Sequence, residues 1–596
     1  MKMTDRNQHA IWAFIAFVVM FLQVTIADHQ LIRGWSMGAV FTNFGVILFI
    51  VSVSLLFKGR GKIAYLAGAE ILISAISLFD LLYFRYYHRP PTVYTLMQAQ
   101  NLNGLGPSVW ESFKGQDLLF ILPVLILPIV GFWLYRPQSD RRWLWMGAMV
   151  ALSAMIIAVK PIKLLATHAP LTRRMTSLSF VENYGILGAH ALDYSLYLAE
   201  NQKRSLTEPQ IRQIRAALGQ SYPLSSEAPA AGRARGYNLI MIQVESLQNF
   251  VIGRSVGGQA ITPNLNRLLD HSLYFTHFYA QTIDGNSSDA ELLTNTSLFP
   301  VAAGSTYFRF PYNDYFSLGK MLKSQGYQTA AFHGDEKDFW NRDQIYPHLG
   351  FDRFYSLEHF RRDDMIGMGL GDRSFLAQCG EIIGKQKPPF YDFLITLTSH
   401  TPFKIPEKEQ TLPLPPELKN RLLGDYLESI HYTDAAIGAF IKDLEARHLL
   451  DRTLIVLYGD HKGIFKQDRG SVEKMVGGPI SDETWIREYT NVPFMIYNPG
   501  FSRRVVTKNA GQIDVLPTLA YLMGIPERAY VSKTLGHNIF SASPDQVLLP
   551  SGDYEEQALI RGNAVTFDVP EKEKEALKIS DWIIRGDYFR MKEPEK

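Results

Sequence analysis

A short run of small and acidic residues near the middle of the chain carries the first candidate for chemistry. The run Gly285–Glu291 reads GNSSDAE. Glycine and asparagine tolerate unusual backbone angles, serine caps helices, and carboxylates such as Asp289 are favourable in a first helical turn. The run therefore predicts a turn that leads into a helix, with Ser287 as a candidate nucleophile. An ordinary helix cap has the same pattern.

Carboxylate and imidazole side chains follow four apolar, β-rich runs in the second half of the chain. The runs are Asn238–Val244, Tyr327–Phe332, Tyr391–Leu397 and Thr453–Tyr458. The polar residues at or near their carboxyl ends are Glu245, His333, Asp335, His400, Asp460 and His461. Each of these alone is typical of a turn. Open α/β sheets, however, bind ligands where their strands end, so the set together with Ser287 predicts one shared polar site.

Three of these residues have the chemistry of a divalent-metal site. Glu245, Asp460 and His461 offer two carboxylates and an imidazole, and the oxygen of Ser287 could be a fourth ligand. A mixed carboxylate and imidazole set favours Mn²⁺ or Zn²⁺ over Ca²⁺. A metal beside a serine at a helix N-terminus would lower the pKa of the hydroxyl and offset the charge of a bound phosphate.

The segments around these residues predict the fold that positions them. After Gly236, apolar β-rich runs alternate with amphipathic helical patterns, which indicates an α/β domain over residues 237–596 with a largely parallel central sheet. Towards its end, Asp581–Arg590 has two apolar patches around a Gly-Asp turn. This pattern predicts a hairpin-like edge of a smaller C-terminal sheet subdomain.

Composition excludes several classes of protein. The 596 residues are too many for one ordinary domain, and 60 basic against 58 acidic residues give a net charge of +2. No general basic field therefore points to nucleic acid as a partner. The single cysteine, Cys379, excludes an intrachain disulfide, so cysteine usage says nothing about the compartment.

The first 160 residues predict a transmembrane domain with five helices. Bilayers need about 20 apolar residues for each span. The five apolar runs are Ala10–Ala27, Met37–Phe57, Ile63–Phe84, Leu118–Tyr135 and Trp143–Val159. The third run contains Glu70 and Asp80; carboxylates at membrane depth are often functional, although Asp80 is close to the end of its span.

Basic residues in the short loops predict the orientation. They precede the first span and lie between spans two and three and between spans four and five, which the positive-inside rule makes cytoplasmic. Everything after Val159 is then expected outside the cell. Residues 161–236 are expected to be a helical and extended linker, with a short helix over Pro209–Leu218 and an exposed connector, open to proteolysis, over Tyr222–Arg235.

Seven motifs in this order resemble those of lipoteichoic acid synthases, which are polyglycerolphosphate-polymerising membrane enzymes of the sulfatase-like, alkaline-phosphatase superfamily. The motifs are Val244–Ser246, Gly285–Glu291, Phe332–Asp335, Phe339–Arg342, Ser399–Pro402, Tyr458–His461 and Gly511–Thr518. The resemblance covers nearly the whole chain. It implies five N-terminal spans followed by an extracellular sulfatase-like domain in the cell membrane.

The resemblance also implies roles for individual residues. The residues expected to hold a Mn²⁺ ion, or another divalent metal such as Zn²⁺ or Mg²⁺, are Glu245, Ser287, Asp460 and His461. The residues expected to line a glycerol-phosphate pocket are His333, Asp335, Trp340, Arg342 and His400. From the residues alone, Phe339–Arg342 would be a helix with a packing Trp and a surface Arg. The sequence departs from the family at one position, because Ser287 stands where the family usually has threonine.

The implied reaction is a transfer in two steps. Ser287 would attack phosphatidylglycerol, diacylglycerol would leave, and a glycolipid or polyglycerolphosphate acceptor would attack the glycerophosphoryl-serine intermediate. His400 or His333 is expected to transfer protons and Arg342 to hold phosphate oxygens. Whether the chain adds one unit, adds many units or decorates another glycan stays open.

Other classes of protein fit less well. A sulfatase needs Pro and Arg after its nucleophile, and the run after Ser287 has neither. A phosphoethanolamine transferase shares the superfamily and the topology but usually has several disulfides, which a single cysteine cannot form. A non-catalytic membrane-tethered binding or sensor module is the alternative from a different class, and the intact set of candidate metal ligands argues against it.

Overall fold

The structure is a computed structural model, and the chain divides into two compact units. The structure describes residues 5–58, 60–87, 90–98, 112–134, 142–166, 177–200, 205–550 and 557–591. Contacts between Cα atoms group Met1–Met97 with Leu105–Lys203 as the N-terminal unit. The C-terminal unit comprises Gln98–Gly104 and Arg204–Lys596.

The described part of the N-terminal unit is helical. Its helices are Asp5–Ile32 (α1), Met37–Val53 (α2), Arg60–Tyr87 (α3), Val93–Met97 (α4), Leu118–Leu134 (α5), Arg142–Ala166 (α6) and Ser177–Glu200 (α7). Four described stretches are long and apolar enough to cross a membrane, namely Ile11–Ile32, Met37–Leu56, Arg60–Arg85 and Gly115–Trp133. The apolar stretch of α6, Trp145–Val159, is shorter. The predicted count of five spans is therefore not confirmed.

Helix α7 packs inside this unit, in a region for which the sequence predicted only a linker. It packs against α1 and α2. Asp28 joins the three helices, because its carboxylate accepts hydrogen bonds from Asn43 Nδ2 at 2.6 Å and from the main-chain N–H of Ile186 at 2.9 Å. Gly185 has a φ of 66°, and a Cβ there would lie 2.3 Å from the side chain of Asn43. Glycine is therefore required at this crossing.

The two acidic residues of α3 are buried. Glu70 accepts a hydrogen bond from Ser74 Oγ at 3.2 Å. Asp80 lies 2.9 Å from His190 Nε2 on α7 and has only 1% of its surface exposed. Asp80 therefore faces a partner on another helix.

The C-terminal unit is built around an eight-stranded sheet. Its strands are Asn238–Val244 (β1), Ser272–Phe275 (β2), Gln328–His333 (β3), Arg353–Tyr355 (β4), Phe390–Ile395 (β5), Thr453–Gly459 (β6), Phe494–Tyr497 (β7) and Arg504–Val506 (β8). Their order across the sheet is β8-β2-β7-β6-β1-β5-β3-β4. Strand β7 pairs antiparallel with both neighbours, and the other pairs in the sheet are parallel. The predicted, largely parallel sheet is therefore confirmed.

Helices cover both faces of this sheet. Alternate residues of β1 belong to different hydrophobic clusters, because Ile240 and Ile242 pack on one face and Leu239 and Met241 on the other. A strand that is buried on both faces reads as a continuous apolar run. The helices of the unit are Glu208–Ala217 (α8), Pro263–Leu268 (α9), Ser287–Thr296 (α10), Thr306–Arg309 (α11), Leu318–Lys323 (α12), Arg342–Ile345 (α13), Asp372–Ile383 (α14), Leu422–Ala446 (α15), Arg469–Val476 (α16), Asp482–Thr484 (α17), Val515–Leu522 (α18) and Glu575–Arg585 (α19).

Several short strands lie outside the main sheet. Three of them form a separate antiparallel sheet, namely Gln546–Leu549, Ala558–Arg561 and Ala564–Thr566. The two-stranded pairs are Ser255–Val256 with Gln259–Ala260, Phe278–Tyr279 with Ala510–Gly511, and Met365–Ile366 with Gly369–Leu370.

The prediction of a hairpin over Asp581–Arg590 is wrong. The first half of this stretch, up to Arg585, belongs to helix α19, whose buried residues Ile579, Ile583 and Ile584 recur at helical spacing. Gly586 follows the helix, and Asp587 has a left-handed φ of 47°. The Gly-Asp pair that suggested a hairpin turn therefore ends a helix.

The segment before β1 is held along the C-terminal unit. Helix α8 matches the predicted short helix and packs against α19. Beyond α8, the main-chain N–H groups of Ser225 and Ala234 donate to Phe540 O and Leu522 O, both at 2.9 Å. Tyr521 Oη donates to Pro229 O at 2.6 Å. The predicted exposed connector, Tyr222–Arg235, is therefore bonded to the unit; we call it the strap.

Candidate active site

Ser287 is positioned by the turn that begins helix α10. Asn286 has the unusual combination of φ 43° and ψ −112°, which turns the chain sharply into the helix. The carboxylate of Asp289 fixes the turn by accepting hydrogen bonds from the main-chain N–H groups of Ile283 at 2.9 Å and Gly285 at 2.8 Å. A Cβ at Gly285 would lie 2.2 Å from that carboxylate.

The structure brings Ser287 together with three of the predicted metal ligands. Ser287 Oγ lies 3.2 Å from Glu245 Oε2 and 3.3 Å from His461 Nε2. The same nitrogen lies 3.4 Å from Glu245 Oε1 and 3.5 Å from Asp460 Oδ2. One ligand atom from each of Glu245, Asp460 and His461 lies within 4.8 Å of the others, so the group could hold a metal ion.

The donor atoms fit a divalent cation. Asp460 Oδ2 is buried and accepts no hydrogen bond from any residue that the structure describes, whereas Oδ1 accepts from the main-chain N–H of Ser246 at 2.8 Å. His461 Nδ1 lies 3.1 Å from the main-chain oxygen of Lys462, which leaves Nε2 to face the carboxylates. Burial and the nearby Glu245 carboxylate raise the pKa of Asp460. A cation would relieve this crowding of negative charge.

The ligands are held by residues that sequence reasoning did not single out for this role. Ser399 Oγ donates to the main-chain oxygen of Glu245 at 2.6 Å. Gln512 Nε2 donates to the main-chain oxygen of Asp460 at 2.6 Å. Ser399 and Gln512 lie in motifs of the family resemblance, but only the three-dimensional contacts show what they hold.

His333 and His400 are predicted pocket residues that the structure keeps neutral. His333 Nδ1 lies 3.1 Å from Ile395 O, and its buried Nε2 has no hydrogen-bond partner among the described residues. Burial and the charge of Arg342 hold the pKa of His333 well below its usual value. Burial also lowers the pKa of His400, to about 4, while its Nδ1 lies 2.8 Å from Thr401 O.

Asp335 and Trp340 are also largely buried. Asp335 accepts a hydrogen bond from the main-chain N–H of Glu336 at 2.8 Å, and burial raises its pKa to about 6. Trp340 has a left-handed φ of 57° and packs edge to face against Phe339, with ring centroids 6.0 Å apart. Phe339–Arg342 therefore folds as a kinked turn and departs from a regular helix.

Arg342 is buried in an ion pair that the sequence did not predict. Its Nε and Nη2 atoms donate to Glu291 Oε1 at 3.0 and 2.6 Å, and Tyr346 Oη donates to Glu291 Oε2 at 2.7 Å. Both charged side chains have at most 1% of their surface exposed. Glu291 lies one helical turn after Ser287 on α10, so the pair connects the nucleophile helix to the predicted pocket.

Electrostatic interactions join the two groups of predicted residues into one region. Arg342 acts on the pKa of both His333 and Asp335, and His333 interacts with His400. His400 in turn interacts with Asp460 and His461. The metal-type cluster and the predicted pocket are therefore neighbours at the ends of β1, β3, β5 and β6.

Comparison with known proteins gives matches along most of the chain. The family model for the lipoteichoic acid synthase N-terminal domain matches residues 1–206, and the sulfatase model matches residues 237–525. Lipoteichoic acid synthase 1 of Bacillus subtilis (strain 168) is 29% identical over 92% of this chain and 89% of its own. Lipoteichoic acid synthase of Staphylococcus aureus (strain USA300) is 30% identical over 92% and 88%.

A solved structure agrees with these sequence matches. The crystal structure of the lipoteichoic acid synthase LtaP from Listeria monocytogenes matches with a TM-score of 0.55 and 28% identity. It covers 63% of this chain and 97% of its own. The C-terminal unit therefore has the sulfatase-like α/β fold.

Proposed function

This chain belongs to the lipoteichoic acid synthase family, and from that premise we propose that it transfers glycerol phosphate from phosphatidylglycerol to a glycolipid or polyglycerolphosphate acceptor. The observation that carries the proposal is the position of Ser287. Its Oγ lies at a helix N-terminus and within 3.3 Å of both Glu245 and His461. A nucleophile, a set of metal-type ligands and a helix N-terminus converge where a phosphate would bind.

A divalent metal, with Mn²⁺ as our first choice, would be held by Glu245, Asp460, His461 and Ser287. When bound, such an ion supplies positive charge that favours the serine alkoxide and neutralises phosphate oxygens. The buried Asp460 Oδ2 is well placed to bind the metal ion, because no described residue donates a hydrogen bond to it.

The first step forms a bond between Ser287 Oγ and phosphorus and breaks the bond between phosphorus and the diacylglycerol oxygen. The serine gives up its proton, the diacylglycerol oxygen gains one, and glycerophosphoryl-serine remains. Arg342, with its charge buried beside the pocket, orients the phosphate. The glycerol end of the phosphatidylglycerol headgroup would contact Asp335, Trp340 and the two neutral histidines.

The second step reverses this exchange on an acceptor. An acceptor hydroxyl forms the new bond to phosphorus, the bond to Ser287 Oγ breaks, and the serine regains a proton. A neutral imidazole can take the hydroxyl proton. His333 suits this role, since Nδ1 faces Ile395 O and the buried Nε2 keeps an unused lone pair among the described contacts. His400 is the second candidate.

The N-terminal unit supports a membrane location for this reaction. Its four apolar stretches are long enough to anchor the chain beside its lipid donor. From the basic residues of the short loops, we propose that the C-terminal unit lies outside the cell membrane.

The test uses the full-length chain in detergent, phosphatidylglycerol labelled in one acyl chain, and a glycolipid acceptor. We expect labelled diacylglycerol and a glycerophosphate-extended acceptor, with both products lost on chelation and restored by Mn²⁺. The number of added units separates a primase from a polymerase.

Two serine variants make this test specific. Ser287→Ala should lose turnover. Ser288→Ala should keep most of it, because Ser288 Oγ bonds only to structural partners in the described chain, Gly285 O at 2.8 Å and Ser305 at 3.0 Å. If Ser287→Ala still releases diacylglycerol, Ser287 is not the nucleophile. If the wild-type chain shows no turnover under any condition, the chain is better described as a non-catalytic binding module.

A further inference from the structure

The buried pair of Glu291 and Arg342 places an unexplained negative charge behind the proposed phosphate site. Glu291 is completely buried, and three donors satisfy it: two nitrogen atoms of Arg342 and the hydroxyl of Tyr346. An arginine binds phosphate most strongly when no neighbouring carboxylate compensates its positive charge. Here a glutamate on the nucleophile helix cancels most of that charge.

The pair also limits which atoms of Arg342 remain for a ligand. Nε and Nη2 are directed at Glu291 Oε1, whereas Nη1 lies at a longer distance of 3.4 Å from Phe339 O. A guanidinium binds two phosphate oxygens best through a pair of parallel N–H groups. With one edge occupied by Glu291, Arg342 offers a phosphate mainly Nη1.

The other charges around the pocket are of both signs. His333 and His400 are neutral at physiological pH, since burial lowers the pKa of both. Lys462 adds a positive charge beside His461. Asp335 lies close enough to Arg342 to interact with it, and the carboxylates of Glu336 and Asp338 add negative charge beside Asp335. A divalent ion would be matched by the carboxylates of Glu245 and Asp460.

We infer that Glu291 is a specificity-determining residue that makes the site select phosphodiester monoanions and reject phosphomonoester dianions. The inference rests on the proposed function, and it names the substrate class of that same site. By pairing with Arg342, Glu291 lowers the positive potential that the guanidinium presents to a phosphate. A second negative charge on the phosphate would then find no uncompensated positive charge in a region of low dielectric.

This selection suits a transferase. Phosphatidylglycerol, the glycerophosphoryl-serine intermediate and each unit of a glycerophosphate chain are phosphodiesters with one negative charge. Inorganic phosphate and phosphomonoesters are dianions near neutral pH and would otherwise compete for the metal.

The test compares two synthetic substrates with the full-length protein at pH 8 in Mn²⁺. Bis(p-nitrophenyl) phosphate is a monoanionic diester, and p-nitrophenyl phosphate is a dianionic monoester. Each releases p-nitrophenolate as Ser287 Oγ bonds to phosphorus, and water then releases the serine. The measured quantity is the ratio of kcat/KM for the diester to kcat/KM for the monoester.

Glu291→Gln removes the negative charge and keeps the shape of the side chain. We expect the diester-to-monoester ratio to fall by about tenfold or more, because an uncompensated Arg342 attracts the dianion more strongly. Tyr346→Phe is the matched control: it removes a hydrogen bond to Glu291 and leaves the charge, so the ratio should stay within about twofold. An unchanged ratio in Glu291→Gln, or equal shifts in both variants, overturns the inference.

A second variant covers the case in which Glu291→Gln does not fold. The double change Glu291→Met with Arg342→Met removes both charges, and hydrophobic replacements of buried ion pairs are often tolerated. Its turnover should fall for both substrates while the ratio stays close to that of the wild type. A ratio shifted tenfold in this neutral variant also overturns the inference. Diester turnover that does not depend on Ser287 would instead refute the proposed function.

Discussion

Gln512 Nε2 donates a hydrogen bond of 2.6 Å to the main-chain oxygen of Asp460, and a second one of 3.2 Å to that of Gly459. Gln512 Oε1 accepts from the main-chain N–H of Gln281 at 3.0 Å. One buried amide therefore ties the end of β6, which carries two candidate metal ligands, to the chain that leads into the turn before Ser287.

The first prediction concerns this tie. Gln512→Leu should lower the affinity for Mn²⁺ by roughly tenfold or more, since residues that orient metal ligands typically contribute that much. Calorimetric titration of the full-length protein would measure it. Gln546→Leu is the control, because Gln546 bonds to Glu573, and metal affinity should not change there. Equal affinities in the two variants would contradict the role of Gln512.

The second prediction concerns the turn before Ser287. Gly285→Ala should lower kcat by roughly tenfold or more, because the new methyl group would displace the Asp289 carboxylate that fixes the turn. Steady-state transfer assays would show the loss. Gly470→Ala should leave kcat unchanged, since a Cβ at Gly470 meets open space. A wild-type rate in Gly285→Ala would show that the turn adapts without cost.

The sequence was sufficient for the class of fold and for the residues that approach Ser287. Strands such as β1 are buried on both faces, so their apolar runs are conspicuous, and polar residues at their ends mark one sheet edge. Glu291 and Gln512 had no such signal. Their roles depend on hydrogen-bond partners that are distant in sequence.

Local patterns also explain the errors. Gly586-Asp587 has the composition of a hairpin turn. The helical spacing of Ile579, Ile583 and Ile584 becomes apparent only when residues before Asp581 are included in the pattern. The strap is largely exposed, as its composition predicts, but main-chain hydrogen bonds also hold it to the unit, and side-chain composition does not report such bonds.

The third prediction concerns pH. Burial raises the pKa of Asp335 from its ordinary value to about 6, so the folded chain holds this proton more tightly than the unfolded chain does. The contribution of Asp335 to stability is therefore lost as the pH rises from about 4 through 6, and ionisation costs on the order of 3 kcal/mol above that range.

Asp335→Asn removes this cost and can still accept the hydrogen bond from Glu336. We expect its Tm to exceed that of the wild type at pH 8 and to match it near pH 4.5, while transfer activity falls. Thermal unfolding of the full-length protein at both pH values would measure this. A variant that is less stable than the wild type at pH 8 would contradict the assignment.

The fourth prediction concerns the strap. Tyr521→Phe removes the hydrogen bond to Pro229 O and should make local opening of the strap about fivefold more frequent, for a loss of about 1 kcal/mol. Brief trypsin digestion, scored for cleavage after Arg233 and Arg235, would report that change. Tyr312→Phe is the control, because Tyr312 is exposed and bonds to Gln344. Equal cleavage rates in the two variants would contradict the prediction.

The packing of α8 against α19 has a consequence for biosynthesis. Helix α8 is the first helix of the C-terminal unit to leave the ribosome, and α19 is the last helix described. The apolar side of α8, with Ile211 and Ile214, therefore lacks its α19 partner until almost the whole unit has been translated. The packing of the first helix of the unit is therefore completed only when the last described helix has been translated, and a nascent chain stalled before α19 would leave part of the apolar side of α8 exposed to chaperones and proteases.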